Sequence, residues 1–318
     1  MSTSMEINQV FSISNSKIKT FLRCPKKYEY RYVQGLFPKR KELPLERGTW
    51  IHSLLEAHYN GENWEAVHAE LTSKFLRLFD EEREHLGDLP GETKRIMKSY
   101  LRHWDDSKWK IIAVEVEFAA RLKKSRLIIK GKIDLVIQDE LGVWCVEHKT
   151  NQKVPRDPPD IPDPQTTLYA YALRSMGLEG AGTIHNHMRT TPPKQPRVLK
   201  RGGLSKRCDT DYHTYLKAIR REGLDPADYK DILRKLKNQD KKFFIRFRVP
   251  WKKTAVKSMT DDYVIISSQM RSLKRFPRHI SKMCKSDCPF FVLCMTELHG
   301  GNSSVIKRKD FRREGNYG

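Results

Sequence analysis

The chain has 318 residues, 38% of them hydrophobic, and carries 61 Lys and Arg against 39 Asp and Glu, a formal charge of +22. That length supports one large domain or two small ones with a real core. A mean hydropathy of −0.68 and the lack of any apolar run near membrane-span length exclude an integral membrane protein built on helices.

The opening MSTSMEINQV lacks the charged start and apolar stretch of a secretory signal, so a cytoplasmic protein is expected. Residues 12–34 begin with Ser and Asn capping candidates and read as an interrupted amphipathic helix, with Pro25 as a first-turn proline after Cys24. A loop is expected over 35–47 and a second helix from about Gly48. Trp64, Val67, Leu71, Phe75 and Leu78 recur at helical spacing and predict a third helix with a core-facing stripe. Another helix is expected over 92–104. The texture then changes: IIAVEVEF (111–118), RLIIKGKIDLVIQ (126–138) and GVWCVEHKT (142–150) are rich in β-branched and aromatic residues and predict three successive strands. A proline-rich loop, the helix QTTLYAYALRSMG and a further strand at TIHNHMR follow. No internal repeat is visible.

Residues 194–257 hold 20 Lys or Arg and 7 Asp or Glu. A charge surplus of this kind attracts polyanions, nucleic acid or anionic lipid. A merely solvated basic surface is the alternative, and interleaved Tyr, Phe and Trp251 leave both readings open. A helix is expected over 260–274, and the Gly, Ser, Lys and Arg-rich tail from Gly300 is expected to be disordered. The divisions expected are a helical N-terminal region (1–110), an α/β core (111–190), a basic insert (191–260), a C-terminal cysteine segment (261–299) and the tail (300–318).

DELG, residues 139–142, is a plausible tight turn between the second and third strands. With a symmetric loop, Asp134 faces Glu147. Like charges directly opposite destabilise a strand pair, and a divalent cation between them removes the conflict, since hard cations such as magnesium and manganese prefer oxygen ligands. Alternation puts Cys145, Glu147 and Lys149 on one strand face. A lysine beside a metal-binding carboxylate suits phosphodiester hydrolysis, whereas Glu-x-Lys alone is a common tripeptide and reads first as a salt-bridged strand; Asp134 at the right register changes that. His52 and Glu56, four apart on one helix face, are further candidate ligands.

Gly131-Lys132-Ile133-Asp134, then Glu147-His148-Lys149, then Gln165-Thr166-Thr167-Leu168-Tyr169 resembles the PD-(D/E)XK nuclease superfamily in its RecB-like branch. SISNSKIKTFLRCPKKYEYRY followed by GTWIHSLLE is similar to the same branch. The resemblance implies a restriction-endonuclease-like α/β fold, a central mixed sheet flanked by helices. By position it implies that His52, Asp134 and Glu147 bind magnesium or manganese and that the backbone carbonyl of His148 completes the site. It also implies that Lys149 is the catalytic lysine and that Gln165 and Tyr169 position DNA. A DNA exonuclease acting on single-stranded ends is the function implied, in recombination, repair or CRISPR adaptation, with a helicase or recombination protein as a possible partner. A non-catalytic DNA-binding scaffold is the other reading.

Six cysteines in a cytoplasmic protein are not a disulfide framework. Cys284, Cys288 and Cys294 crowd together, and Cys24 is the natural fourth ligand. Four thiolates suit a structural zinc ion or an iron–sulfur cluster alike. One early and three late cysteines resemble the iron–sulfur nucleases of the AddB and CRISPR-associated Cas-four type, which implies a 4Fe-4S cluster stapling the N-terminal helix to the C-terminus. Cys145 and Cys208 are expected to be packing or incidental residues.

Overall fold

The computed structural model describes residues 11–122, 127–161, 163–239 and 242–313. The first ten residues and the last five lie outside them. One mixed sheet is built from β1 (Phe11–Ile13), β3 (Lys110–Arg121), β4 (Leu127–Asp139), β5 (Gly142–Asn151), β6 (Gly180–Arg189) and β7 (Phe244–Pro250). A separate antiparallel pair joins β2 (Leu36–Pro38) to β8 (Phe311–Arg313). The helices are α1 (Asn15–Arg23), α2 (Pro25–Tyr28), α3 (Leu43–Tyr59), α4 (Trp64–Leu76), α5 (Asp80–Leu86), α6 (Leu89–His103), α7 (Pro164–Ser175), α8 (Tyr212–Arg221), α9 (Lys230–Lys237), α10 (Lys253–Ser272), α11 (Cys284–Asp287), α12 (Phe291–Leu298) and α13 (Ser304–Asp310). Among the described residues no helix is long and apolar enough to cross a membrane.

Strand β4 is the spine. One edge pairs antiparallel with β3 along most of its length. The other edge takes β1 in parallel at residues 127–129 and β5 antiparallel from Leu135. The β4–β5 hairpin closes at Asp139↔Gly142 and keeps that register through Leu135↔Val146, as the DELG turn predicts. Strand β6 runs parallel to β5, and β7 returns antiparallel to β6. Helices α1, α7 and α10 cover one face, where Ile133, Cys145, Leu168, Tyr169 and Tyr263 are buried together. On the other face α3 and α6 bury Leu54, Met97 and Tyr100 against Leu135, Val146 and Ile184. The sheet is therefore the middle of three layers, the mixed α/β arrangement expected.

Several boundaries differ from the sequence reading. α3 starts at Leu43 because Pro44 sits in its first turn, where a missing N–H costs nothing. Strands β1 and β2 and helix α5 are too short for a periodicity to register. The basic stretch is not one insert reaching to 260. Phe244 and Ile245 are buried in the sheet as part of β7, and α10 begins at Lys253. The tail is ordered over 304–313: Phe311 is buried and stacks on Phe290 with centroids 5.1 Å apart, and Lys307 pairs with Glu297 at 2.9 Å. Partners this far away in sequence outweigh a polar composition.

Candidate active site

The site begins where the sheet breaks its own pattern. Val114 and Leu135 pair and pack on the α3–α6 face, yet the pair two residues along, Val116 and Ile133, packs on the α7 face. A side-chain period of two would keep each strand's pair on one face. The reversal falls on the row between them, Glu115 and Asp134. Glu115 carries it with φ of 49°, the one positive φ at a non-glycine among the described residues. Such a conformation costs about 1–3 kcal/mol and collects at functional sites. Gly131, the glycine of the GKID motif, has a packing reason: an added Cβ would lie 2.7 Å from the Phe118 ring.

His52, one of the expected ligands, reaches down from α3. Its Nδ1 lies 3.5 Å from Asp134 Oδ1 and 3.6 Å from Glu115 Oε1. His52, Glu115 and Asp134 offer ligand atoms all within 4.8 Å of one another. Glu115, not Glu56, thus joins Asp134 at His52. Sequence reasoning passed over it; the signal was a pair of carboxylates, Glu115 and Glu117, inside an otherwise apolar strand. Lys132 closes on Glu115 at 2.7 Å from the exposed side.

Asp134 and Glu147 are both buried on adjacent strands, one step beyond the Leu135↔Val146 pair. There the backbone ladder gives way: the His148 N–H donates to Asp134 Oδ2 at 2.7 Å. Burial, and then the Glu147 charge, push Asp134 up to about 7. Burial opposes a charge on His52, but the nearby Glu115 and the other surrounding carboxylates raise its pKa above the usual imidazole value. The site concentrates negative charge that its protein partners only partly offset.

Glu147 does not fall within the 4.8 Å group; it faces it from β5. Lys149 donates to its Oε1 at 2.5 Å, Gln165 Nε2 donates at 3.2 Å, and the Tyr169 hydroxyl lies 2.6 Å from Oε2. Burial would depress Lys149, but Glu147 outweighs it and holds the ammonium form. Gln165 and Tyr169 are expected to position DNA; here Tyr169 is 1% exposed, and both side chains bond Glu147. Asp163 caps α7 and accepts from the Gln165 N–H at 2.9 Å, with Pro164 in the first turn, so the helix start aims Gln165.

The His148 side chain points to the opposite face. Its Nδ1 accepts from Asn186 Nδ2 at 2.8 Å, and its ring stacks on Tyr59. Burial, with His52 and Arg246 nearby, keeps this imidazole neutral. Asn186 donates on to the Tyr100 hydroxyl, and Arg246 Nη2 donates to both Tyr100 and Asp106. The Arg246 guanidinium lies 4.2 Å from the ring centroid of Trp104 and 4.2 Å from that of Trp109. A fully bonded polar network therefore fixes β5 from behind the carboxylates.

A sequence profile of the PD-(D/E)XK nuclease superfamily matches residues 12–294. The chain belongs to the PD-(D/E)XK nuclease superfamily. Its GKID and EHK strands are the elements that bring Asp134, Glu147 and Lys149 together. Among solved structures it is similar to SSO0001, at 12% identity over 91% of this chain and 88% of that one, with a TM-score of 0.31. It is also similar to VC1899 from Vibrio cholerae, at 14% identity over 73% of this chain and 58% of that one, with a TM-score of 0.20. No curated protein matches it.

Nucleases of this superfamily use divalent metals, and the donor set fits one. An imidazole and two carboxylates converge, a third carboxylate faces them, and a cation would relieve the clash of buried Asp134 and Glu147.

A second convergence lies at the C-terminal end. Cys24, Cys284, Cys288 and Cys294 line one pocket together with Tyr30 and Arg278. Three of the sulfurs accept hydrogen bonds: Cys24 from the His279 N–H at 3.5 Å, Cys284 from the Ser281 N–H at 3.3 Å, and Cys294 from Arg278 Nε at 3.3 Å. Cys145 is fully buried in the core, and the Cys208 thiol donates to the Lys194 carbonyl, so neither joins them.

Proposed function

We propose that this chain is a magnesium- or manganese-dependent deoxyribonuclease of the RecB-like branch, acting on single-stranded ends. The observation that carries the reading is the convergence of His52, Glu115 and Asp134 at the break in the sheet, with Glu147 facing them from β5 and Lys149 two residues past it on the same face. His52, Glu115, Asp134 and Glu147 would hold the cation, and the His148 carbonyl remains the expected backbone ligand. A bound divalent cation supplies charge to polarise a phosphoryl oxygen and to acidify water. The chain's own residues do the rest. The His148 N–H fixes one Asp134 oxygen, and Tyr169 and Gln165 fix Glu147. Lys149, held as an ammonium, orients the attacking water or stabilises charge building on the phosphoryl oxygens.

The four-cysteine pocket supports a 4Fe-4S cluster with Cys24, Cys284, Cys288 and Cys294 as ligands. Arg23, Lys26, Lys27 and Arg278 surround it with positive charge suited to thiolates. N–H donors to sulfur are a recognised means of tuning such clusters. Four thiolates suit a structural zinc ion as well as a cluster, and the metal content of the purified protein decides between them. The role of either is to staple α1 and α2 to α11 and α12.

A digest of end-labelled single- and double-stranded DNA, with and without manganese, tests the activity. Metal-dependent shortening of single strands from a labelled end is expected. Internal fragments without end shortening would make the enzyme an endonuclease. Binding without any cleavage would make it the scaffold protein of the alternative reading.

A further inference from the structure

Between β6 and β7 the chain leaves the sheet and folds on itself. Tyr215, Ala218 and Ile219 of α8 bury against Ile232, Leu233 and Leu236 of α9, with Leu204 and Tyr229 completing a small core of their own. Tyr229 also accepts the Leu204 N–H at 2.9 Å. This core shares no residue with the two cores of the sheet. It is a small folded arm, not a loop.

The arm is rooted beside the active site. Glu147, Lys149 and Asn151 of β5 pair in register with His185, His187 and Arg189 of β6. The arm starts from Arg189, two residues past the lysine row, about 7 Å along a strand. The Thr190 N–H donates to the Asn151 carbonyl at 2.8 Å. Arg189 Nη1 and Nη2 donate to the two Asp209 oxygens at 3.0 and 2.6 Å, and Lys242 joins at 2.7 Å, so the root is clamped. The surface between Lys149 and the root is floored by neutral polar groups: His187 bonds Asn151 at 2.8 Å, and burial holds its pKa near 4.

The outer faces of the arm are cationic by helical spacing. Lys217 and Arg220 stand away from the buried face of α8 with Arg221 on its flank, and Lys230 and Arg234 stand away from that of α9 with Lys237 on its flank. Lys217, Arg220, Lys230 and Arg234 are exposed and enter no ion pair among the described residues. Many of the arm's carboxylates are already engaged. Asp209 is in the clamp, Glu222 pairs with Arg221, and Asp211 and Asp225 cap helix starts. Exposed cations that enter no ion pair among the described residues, on a folded arm rooted beside the candidate site, suit a polyanion.

We propose that the arm described over residues 190–239 grips the phosphate backbone of the nucleic-acid substrate beyond the Lys149 side of the site. The proposal rests on the nuclease reading for the identity of that substrate. It differs from a solvated basic surface in requiring direct phosphate contacts, each of which releases counterions on binding.

The test is the salt dependence of binding to a labelled single-stranded DNA, measured in the Glu147→Ala background so that the strand stays intact. Lys217→Gln, Arg220→Gln, Lys230→Gln and Arg234→Gln are combined in one variant. Each lost contact to a single strand removes about 0.7 from the slope of log affinity against log salt, so four remove roughly 3. A second variant, K217R with R220K, K230R and R234K, keeps the charge and should keep the slope, which separates lost contacts from misfolding. An unchanged slope in the glutamine variant overturns the proposal. So does a glutamine variant that keeps its DNA affinity but loses binding to phosphatidylserine vesicles, because the arm would then serve a membrane surface. Cleavage by the wild-type protein is scored separately. A slope change without any wild-type cleavage keeps the grip and removes the nuclease reading, and cleavage without a slope change does the reverse.

Discussion

Replacing Tyr169 with Phe removes one oxygen from the core and leaves the ring in place against Phe118. That oxygen lies 2.6 Å from Glu147 Oε2, 3.2 Å from the Lys132 carbonyl, and accepts from Gln165 Nε2 at 2.8 Å. Glu147 is 3% exposed, so water does not replace what is lost. A hydrogen bond to a charged group is worth about 1.5–3 kcal/mol, and one pKa unit or decade corresponds to about 1.4 kcal/mol. Tyr169→Phe should therefore weaken metal affinity or turnover by roughly 10- to 100-fold, the range typical of residues that orient a ligating group. Calorimetric titration with manganese and single-turnover cleavage of a labelled strand measure the two quantities. Unchanged values for both would refute the role given to Tyr169. A raised KM for DNA with metal affinity and kcat intact would return Tyr169 to the DNA contact that the sequence suggested.

Arg246→Ala should cost about 3–5 kcal/mol in denaturant unfolding, because it strands Asp106, whose side chain is 13% exposed, without its charge partner; a change below about 1 kcal/mol would show that the network behind β5 is dispensable. Asp209 is held at about 2 by Arg189, against some burial, with help from Lys242. Its carboxylate is the form favoured by folding, so its contribution is full above about pH 4 and lost as pH falls towards about 2. The gap in melting temperature between wild type and Asp209→Asn should shrink across that window, and a constant gap would contradict the clamp. Cys24→Ala should bleach the brown colour expected of anaerobically purified protein and lower its melting temperature, while Cys208→Ala should do neither. A colourless native protein with one zinc per chain would replace the cofactor and keep the ligands.

The hairpin that carries Asp134 and Glu147 was legible because a short turn and a period of two fix a register between neighbours in sequence. The pairing Asp139↔Gly142 is the one a symmetric DELG loop requires. Glu115 was not legible for the same reason in reverse. It reaches the site only because β3 and β4 both change face at its row, and a rule of strict alternation cannot announce where alternation fails. The contact of Tyr169 with Glu147 was not legible, since helical spacing places a side chain on a face and says nothing of what buries it. The arm and the tail were hidden by their charge. Buried positions such as Ile219, Leu233 and Phe311 are scattered among lysines and arginines, and their partners lie on other turns or far along the chain.

The central claim is that the buried carboxylates at the sheet break make a metal-dependent cutting site. The most direct measurement is cleavage of labelled single-stranded DNA by Glu147→Ala, in magnesium and in manganese, beside its affinity for the same DNA. Cleavage should vanish in both metals while affinity stays within about threefold of wild type, because phosphate contacts lie elsewhere. Full cleavage by Glu147→Ala in either metal would contradict it.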